Sequence, residues 1–270
     1  MIRAAVASVA LMLAPTLLWA DAQLTRLYDL LEFDAYLEVT RIEGMREIED
    51  GAPEMLGRSA DGGYLAQMAR VYDADRMRET ILYHLERGLN SQQIDAALVF
   101  FGSDLGMRIT EFEVAARRAI SDTDVEESAR DAWLRAEETH PWLSARIHDF
   151  IDVSDLIERN VSGALNSNLR FYQGLVDGGS IELTQDEMLI EVWAQEPALR
   201  DDTESWMGGY LLLAYQPLSQ TDITDYLAFW KTDTGRALNA AVFAGYNALY
   251  DEISYATGRI IALNVDTQEL

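Results

Sequence analysis

The sequence predicts an all-α protein built from two similar helical repeats of about five helices each, behind a cleaved signal peptide. Three observations carry this. Apolar residues recur at helical spacings along nearly the whole chain, with no clean period-two alternation and no clustering of β-branched residues. A ten-residue signature occurs twice, as FFGSDLGMRI at Phe100–Ile109 and as FWKTDTGRAL at Phe229–Leu238. The first 22 residues have the charge, apolar centre and small-residue ending of a secretory signal.

In that signal, Arg3 is the positive start, AAVASVALML is the apolar centre and Pro15 breaks it. Ala20 and Ala22 put small residues at the −3 and −1 positions, so the mature chain is expected to begin near Gln23. The apolar run is too short, and too interrupted by Ser8, Pro15 and Thr16, to span a membrane, and no later segment is long and apolar enough. No stable membrane anchor is therefore expected. The chain has no cysteine, which excludes thiol-linked lipid, disulfides, Cys-ligated zinc and thiol catalysis.

Helices follow in order. LTRLYDLLEFDAYLEVTRI sets Leu24, Leu27, Leu31, Tyr36 and Val39 at helical spacings. LIERNVSGALNSNLRFYQGL repeats the style with Leu156, Val161, Leu165 and Leu169. SADGG (Ser59–Gly63) and VDGGS (Val176–Ser180) read as turns. Thr184 followed by Glu187 fits a capping box, and Ser219 followed by Asp222 is a weaker version. The connection from Ser121 to Pro141 is acidic but carries Trp133 and Leu134, so it reads as a partly packed helix. The expected division is a signal at 1–22, a first repeat at 23–120, a connecting helix at 121–145, a second repeat at 146–265 and a tail at 266–270.

A shift of 129 residues superposes the two signatures without a gap. Leu89/Leu218, Ile94/Ile223, Leu98/Leu227, Phe100/Phe229, Asp104/Asp233 and Gly106/Gly235 are identical, and Phe101/Trp230 and Ser103/Thr232 are conservative. So long a period implies duplicated domains rather than a solenoid. Physically the signature reads as a helix–corner–helix joint. Ser103 and Thr232 fall where the second helix needs an N-cap. Asp104 and Asp233 meet the positive end of that helix. Gly106 and Gly235 leave room for the aromatic pair of the preceding helix. An anion site at the new helix start is disfavoured by the Asp at its first position.

The pattern aromatic–aromatic–x–Ser/Thr–x–x–Gly between two amphipathic helices resembles the domain of unknown function 2059 family of exported bacterial proteins. The likeness covers Asp61–Ile120, with a fainter second copy at Glu187–Leu249. That family often has Pro after the hydroxyl residue, where this chain has Asp in both copies. The resemblance implies an all-helical exported domain and supplies no activity and no catalytic residue.

The formal charge is −25, from 21 Lys+Arg against 46 Asp+Glu, which disfavours nucleic acid and anionic lipid as partners. Hydrophobic residues make up 49 %, enough for a sizeable core. Glu137 and His140 stand three apart, a spacing used by helix-borne metal sites, but only one such unit is present and Pro141 marks a helix boundary. No nucleophile elbow and no phosphate loop occurs. Neither metal nor cofactor is expected. The second half is crowded with aromatics, among them Trp206, Tyr210, Tyr215, Tyr226, Phe243, Tyr246 and Tyr250. Core packing explains most of them. The sharper reading makes Trp206, Tyr210, Phe243, Tyr246 and Tyr250 an apolar pocket or an interface. The function expected is a periplasmic or secreted binding or interaction module without catalysis, its partner a protein or a small apolar ligand. The alternative is a hydrolytic or metal-dependent enzyme using acidic residues and His140.

Overall fold

The computed structural model describes residues 14–265, with side chains from Ala22 onward. The first part of the expected signal, 1–13, and the tail, 266–270, lie outside the described residues. Every regular element among the described residues is an α-helix.

The long helical stretch expected around Leu24–Ile42 is two helices, α1 (Ala14–Leu30) and α2 (Phe33–Leu56). Glu32 separates them in the left-handed region, at φ 50°. A side chain there costs roughly 1–2 kcal/mol. The turn is held from both sides. The Tyr28 hydroxyl donates to Asp34 at 2.6 Å and its ring meets Phe33 at 5.2 Å. α2 ends on Gly57, left-handed at φ 70°, the usual place for glycine past a helix end.

α3 (Gly62–Val71), α4 (Ala74–Gly88) and α5 (Ser91–Phe101) follow. Asp61 and Asp73 accept from Tyr64 N and Arg76 N, and Asn90 forms a reciprocal capping box with Gln93. α6 (Asp104–Ala119) completes the first half.

The connection is α7 (Thr123–Leu134) and the single turn α8 (Ala136–Thr139). Trp133 packs under Gly208, where a Cβ would overlap its indole. Leu134 instead points to solvent, 77 % exposed. The expected boundary at 145/146 falls inside α9 (Pro141–Ser154), because Pro141 opens that helix at its first turn.

α10 (Leu156–Gly178) is set off from α9 by Asp155 at φ 52°, and ends on Gly179 at φ 83°. α11 (Gln185–Trp193), α12 (Glu196–Tyr215), α13 (Gln220–Trp230) and the 32-residue α14 (Asp233–Asn264) close the chain. Thr184 with Glu187 and Ser219 with Asp222 are both reciprocal capping boxes. Each half thus has six helices rather than five. The extra one arises at the left-handed breaks, which no glycine or proline marks in the sequence.

The two signature segments are the α5–α6 and α13–α14 corners. Ser103 Oγ accepts from Gly106 N at 3.1 Å, and Thr232 Oγ1 from Gly235 N at 3.0 Å. A Cβ on Gly106 would stand 2.6 Å from Phe101 Cα, and one on Gly235 2.6 Å from Trp230 Cα. The clearance is therefore for the backbone under the aromatic pair, not for the rings. The two corners also meet each other. Phe100 stacks on Phe229 at 4.3 Å, and Phe101 meets Phe229 edge-on at 5.3 Å.

One core runs through both halves, from Leu27, Ile81, Leu85 and Phe101 to Ile147, Leu211 and Leu238. α14 is its axis. It lies backbone to backbone on α10, where a Cβ on Gly174 would stand 2.8 Å from Arg259 N. α4 crosses α14 with Gly88 against Ala241.

Candidate functional site

The helices do not fill the middle of the bundle. A cavity of about 640 Å³ opens among α2, α6, α9, α10, α12, α13 and α14. That size suits a drug-sized molecule. Twelve of the thirty lining residues are aromatic. Trp206, Tyr210, Phe243, Tyr246 and Tyr250, marked in the sequence as pocket or interface, all line it. So do Phe101 and Trp230, so the corners that join the helices also form part of this wall.

The chemistry centres on Glu113, which sequence reasoning missed. It sits on α6 with Thr110 and Arg117, at spacings of three and four, so all three face the cavity. Thr110 spends its hydroxyl on the Gly106 carbonyl at 3.1 Å. Tyr215 from α12 and Tyr226 from α13 both donate to Glu113 Oε1, each at 2.8 Å. The Tyr210 hydroxyl donates to the Glu113 backbone carbonyl at 3.3 Å and lies 3.2 Å from the Tyr36 hydroxyl. Glu113 is half-buried, with part of it facing the cavity, and its carboxyl lies deep among protein atoms. That desolvation outweighs the two tyrosine hydrogen bonds and pushes its carboxyl up to about 7. Burial likewise raises Tyr215 and Tyr226 well above the ordinary phenol value, with the Glu113 charge adding to it.

Arg117 is the other charged residue of the lining, and its charge is answered. Its guanidinium forks onto both carboxylate oxygens of Glu43 on α2. It also lies 5.7 Å over the Trp206 ring, which stacks on Tyr210 at 5.3 Å. Burial works to raise Glu43, but the hydrogen bonds and charge of Arg117 win and hold it below the usual carboxylate range.

Toward α10 and α14 the wall is neutral and polar, with Asn160, Ser167, Asn168, Asn239 and Asn247. Asn239 Nδ2 donates to the Ser154 carbonyl at 2.8 Å, and Ser154 Oγ is buried with no hydrogen-bond partner. The Trp230 indole N–H makes no hydrogen bond of good geometry, although it lies close enough to the Tyr226 hydroxyl to favour the phenolate. Tyr250, 39 % exposed, stands at the rim, 3.5 Å from Thr40 Oγ1 and stacked on Tyr246.

His140 is not part of this arrangement. It is exposed at the start of α9, with Nδ1 2.9 Å from Thr139 Oγ1 and Nε2 3.3 Å from Gln216. Among the described residues no three His, Cys, Asp or Glu are grouped to hold a metal ion. No described helix is long and apolar enough to cross a membrane. In comparisons with known proteins the chain matches no family model, no curated protein and no solved structure.

Proposed function

We propose that this chain is an exported helical binding protein, without catalysis, that takes a small and largely apolar ligand into its central cavity. One observation carries the reading. The bundle keeps a cavity of about 640 Å³ with twelve aromatic side chains in its wall, and polar groups gathered around Glu113 and along α10 and α14. Filling such a space with side chains would stabilise the protein, since cavities cost packing energy. A kept cavity with oriented polar groups supports binding. The test is a neutral fluorescent probe, N-phenyl-1-naphthylamine. It is expected to bind saturably at one per chain with a blue-shifted emission. Ala164→Phe, which places a ring in the cavity, should abolish this while the far-UV circular dichroism stays helical. A wild-type protein that does not bind the probe, or an A164F protein that still does, sinks the reading.

Export by the N-terminal segment belongs to the same proposal, and so does the exported family that the corner motif resembles. Leu24, Leu27 and Tyr28, just past the expected cut, are core residues, and Gln23 donates to Asp95. Cleavage before Gln23 would shorten α1, which starts at Ala14, and leave these contacts whole. Sequencing the N-terminus of the periplasmic form checks this.

The two halves are further proposed to be diverged copies of a six-helix unit, α1–α6 and α9–α14. What supports this is the order of local devices. A left-handed break at Glu32 pairs with Asp155, a glycine end at Gly57 with Gly179, and an N-cap at Asp61 with Thr184. These pairs stand 122 or 123 residues apart, whereas the corners stand 129 apart. The difference is located in one place. α12 has 20 residues against 15 in α4, and the turn after it is two residues longer.

A further inference from the structure

The cavity reading leaves open which molecules enter, and Glu113 narrows that. We propose that the cavity takes an organic cation carrying an apolar tail, with the positive centre set against Glu113 Oε2 and the tail along the aromatic wall. This rests on the cavity being the binding site.

Four observations lead there. Glu113 is the one acidic residue in the lining, and no ion pair joins it to any basic group among the described residues. Arg117, the one basic residue there, is committed to Glu43. The lining therefore carries one acidic group without a basic partner and no free positive charge. Next, the two tyrosines both donate to Oε1, and Oε2 accepts nothing from the described protein. A carboxylate buried without a cation is costly unless something supplies the missing charge or donor. Third, tyrosine and tryptophan are plentiful in the wall around it, among them Trp206, Tyr210, Tyr226 and Trp230. Aromatic faces attract cations, and cages of them are how proteins hold alkylated ammonium groups. Last, a chain of net charge −25 raises the local concentration of cations and repels anions before they reach the rim. A fatty carboxylate, the other common amphiphile, would meet Glu113 as a like charge and find Arg117 already occupied.

The test compares three probes of equal tail length below their micellar concentrations: decyltrimethylammonium, 1-decanol and decanoate. Binding is measured by calorimetry at pH 8, in 150 mM salt so that the diffuse field is screened to about 8 Å. The wild type is expected to bind the ammonium at least tenfold more tightly than decanol, and decanoate most weakly. E113Q should bring the ammonium down to the level of decanol. A164F should remove binding of all three. If decanoate equals the ammonium, or E113Q keeps the tenfold preference, the cation assignment is overturned. The same holds if decanol binds as tightly as the ammonium, because a hydroxyl donor to Oε2 would then suffice. If none of the three binds to the wild type, or A164F leaves binding intact, the cavity itself is not the site and the broader reading fails with it.

Discussion

Glu113 makes the stability of the protein depend on pH in a direction opposite to that of most carboxylates. Its carboxyl is raised from an ordinary 4.5 to about 7 by burial. Below about pH 4.5 both the folded and unfolded chains hold the proton, and the residue is neutral to stability. Between about 4.5 and 7 the unfolded chain has released it while the folded chain keeps it, so stability falls as pH rises. Above pH 7 the full cost persists, about 3 kcal/mol at 1.36 kcal/mol per unit. Glu113→Gln removes the titration and keeps an oxygen to accept from Tyr215 and Tyr226. The variant should match the wild type near pH 4.5 and exceed it by about 3 kcal/mol at pH 8, or about 6–10 °C in Tm for a chain of this size. The groups facing Glu113 do not confuse the comparison. Tyr36, Tyr210, Tyr215 and Tyr226 stay neutral throughout, and Arg117 stays charged. Glu47 and Asp251, both raised by burial, titrate alike in the two proteins and cancel. The assay is thermal and urea unfolding of both proteins from pH 4.5 to 8.5. A difference between them that stays flat within about 0.5 kcal/mol across that range refutes the argument.

Four further outcomes come from the packing. Gly106→Ala and Gly235→Ala should each cost about 3 kcal/mol, because the added carbon meets backbone that cannot move aside; an unchanged melting temperature would remove the clearance argument. Their double variant should depart from additivity, since Phe100 and Phe229 couple the two corners. Ser103→Ala and Thr232→Ala should each lower the urea midpoint by the equivalent of about 1 kcal/mol without changing the slope. Glu43→Gln leaves the Arg117 charge in the wall without its partner and should cost about 3 kcal/mol, much of it regained in the pair Glu43→Gln with Arg117→Met; equal stability of E43Q and wild type would show that the ion pair contributes nothing.

Local devices were the most legible part of this chain. Ser103, Thr184, Ser219 and Thr232 announce helix starts because a cap and its target lie three residues apart. The breaks at Glu32 and Asp155 were not legible. No glycine or proline marks a residue in the left-handed region, and at Glu32 the turn is held by side chains on either side of it, Tyr28 with Phe33 and Asp34, a pairing with no sequence signature. The aromatic crowd of α12–α14 was visible as a group, but whether it fills a core or walls a space depends on how far α2 and α6 stand from it. Glu113 was hidden among 46 acidic residues on an acidic chain. The signal for it was there: Thr110, Glu113 and Arg117 continue, in polar form, the buried stripe begun by Gly106 and Ile109.

The face-to-face corners have a kinetic consequence. Proteins that enclose a ligand between two halves often open by swinging them apart, but here Phe100 on Phe229, next in sequence to the wall residues Phe101 and Trp230, and a core continuous from Leu27 to Leu238 tie the halves together. There is no hinge to use. A guest of the proposed kind would then enter past the rim, where Tyr250 stands half out in solvent beside Thr40. Binding as proposed would then meet a cavity whose shape is set in advance, and its rate would not wait on a movement of the two halves.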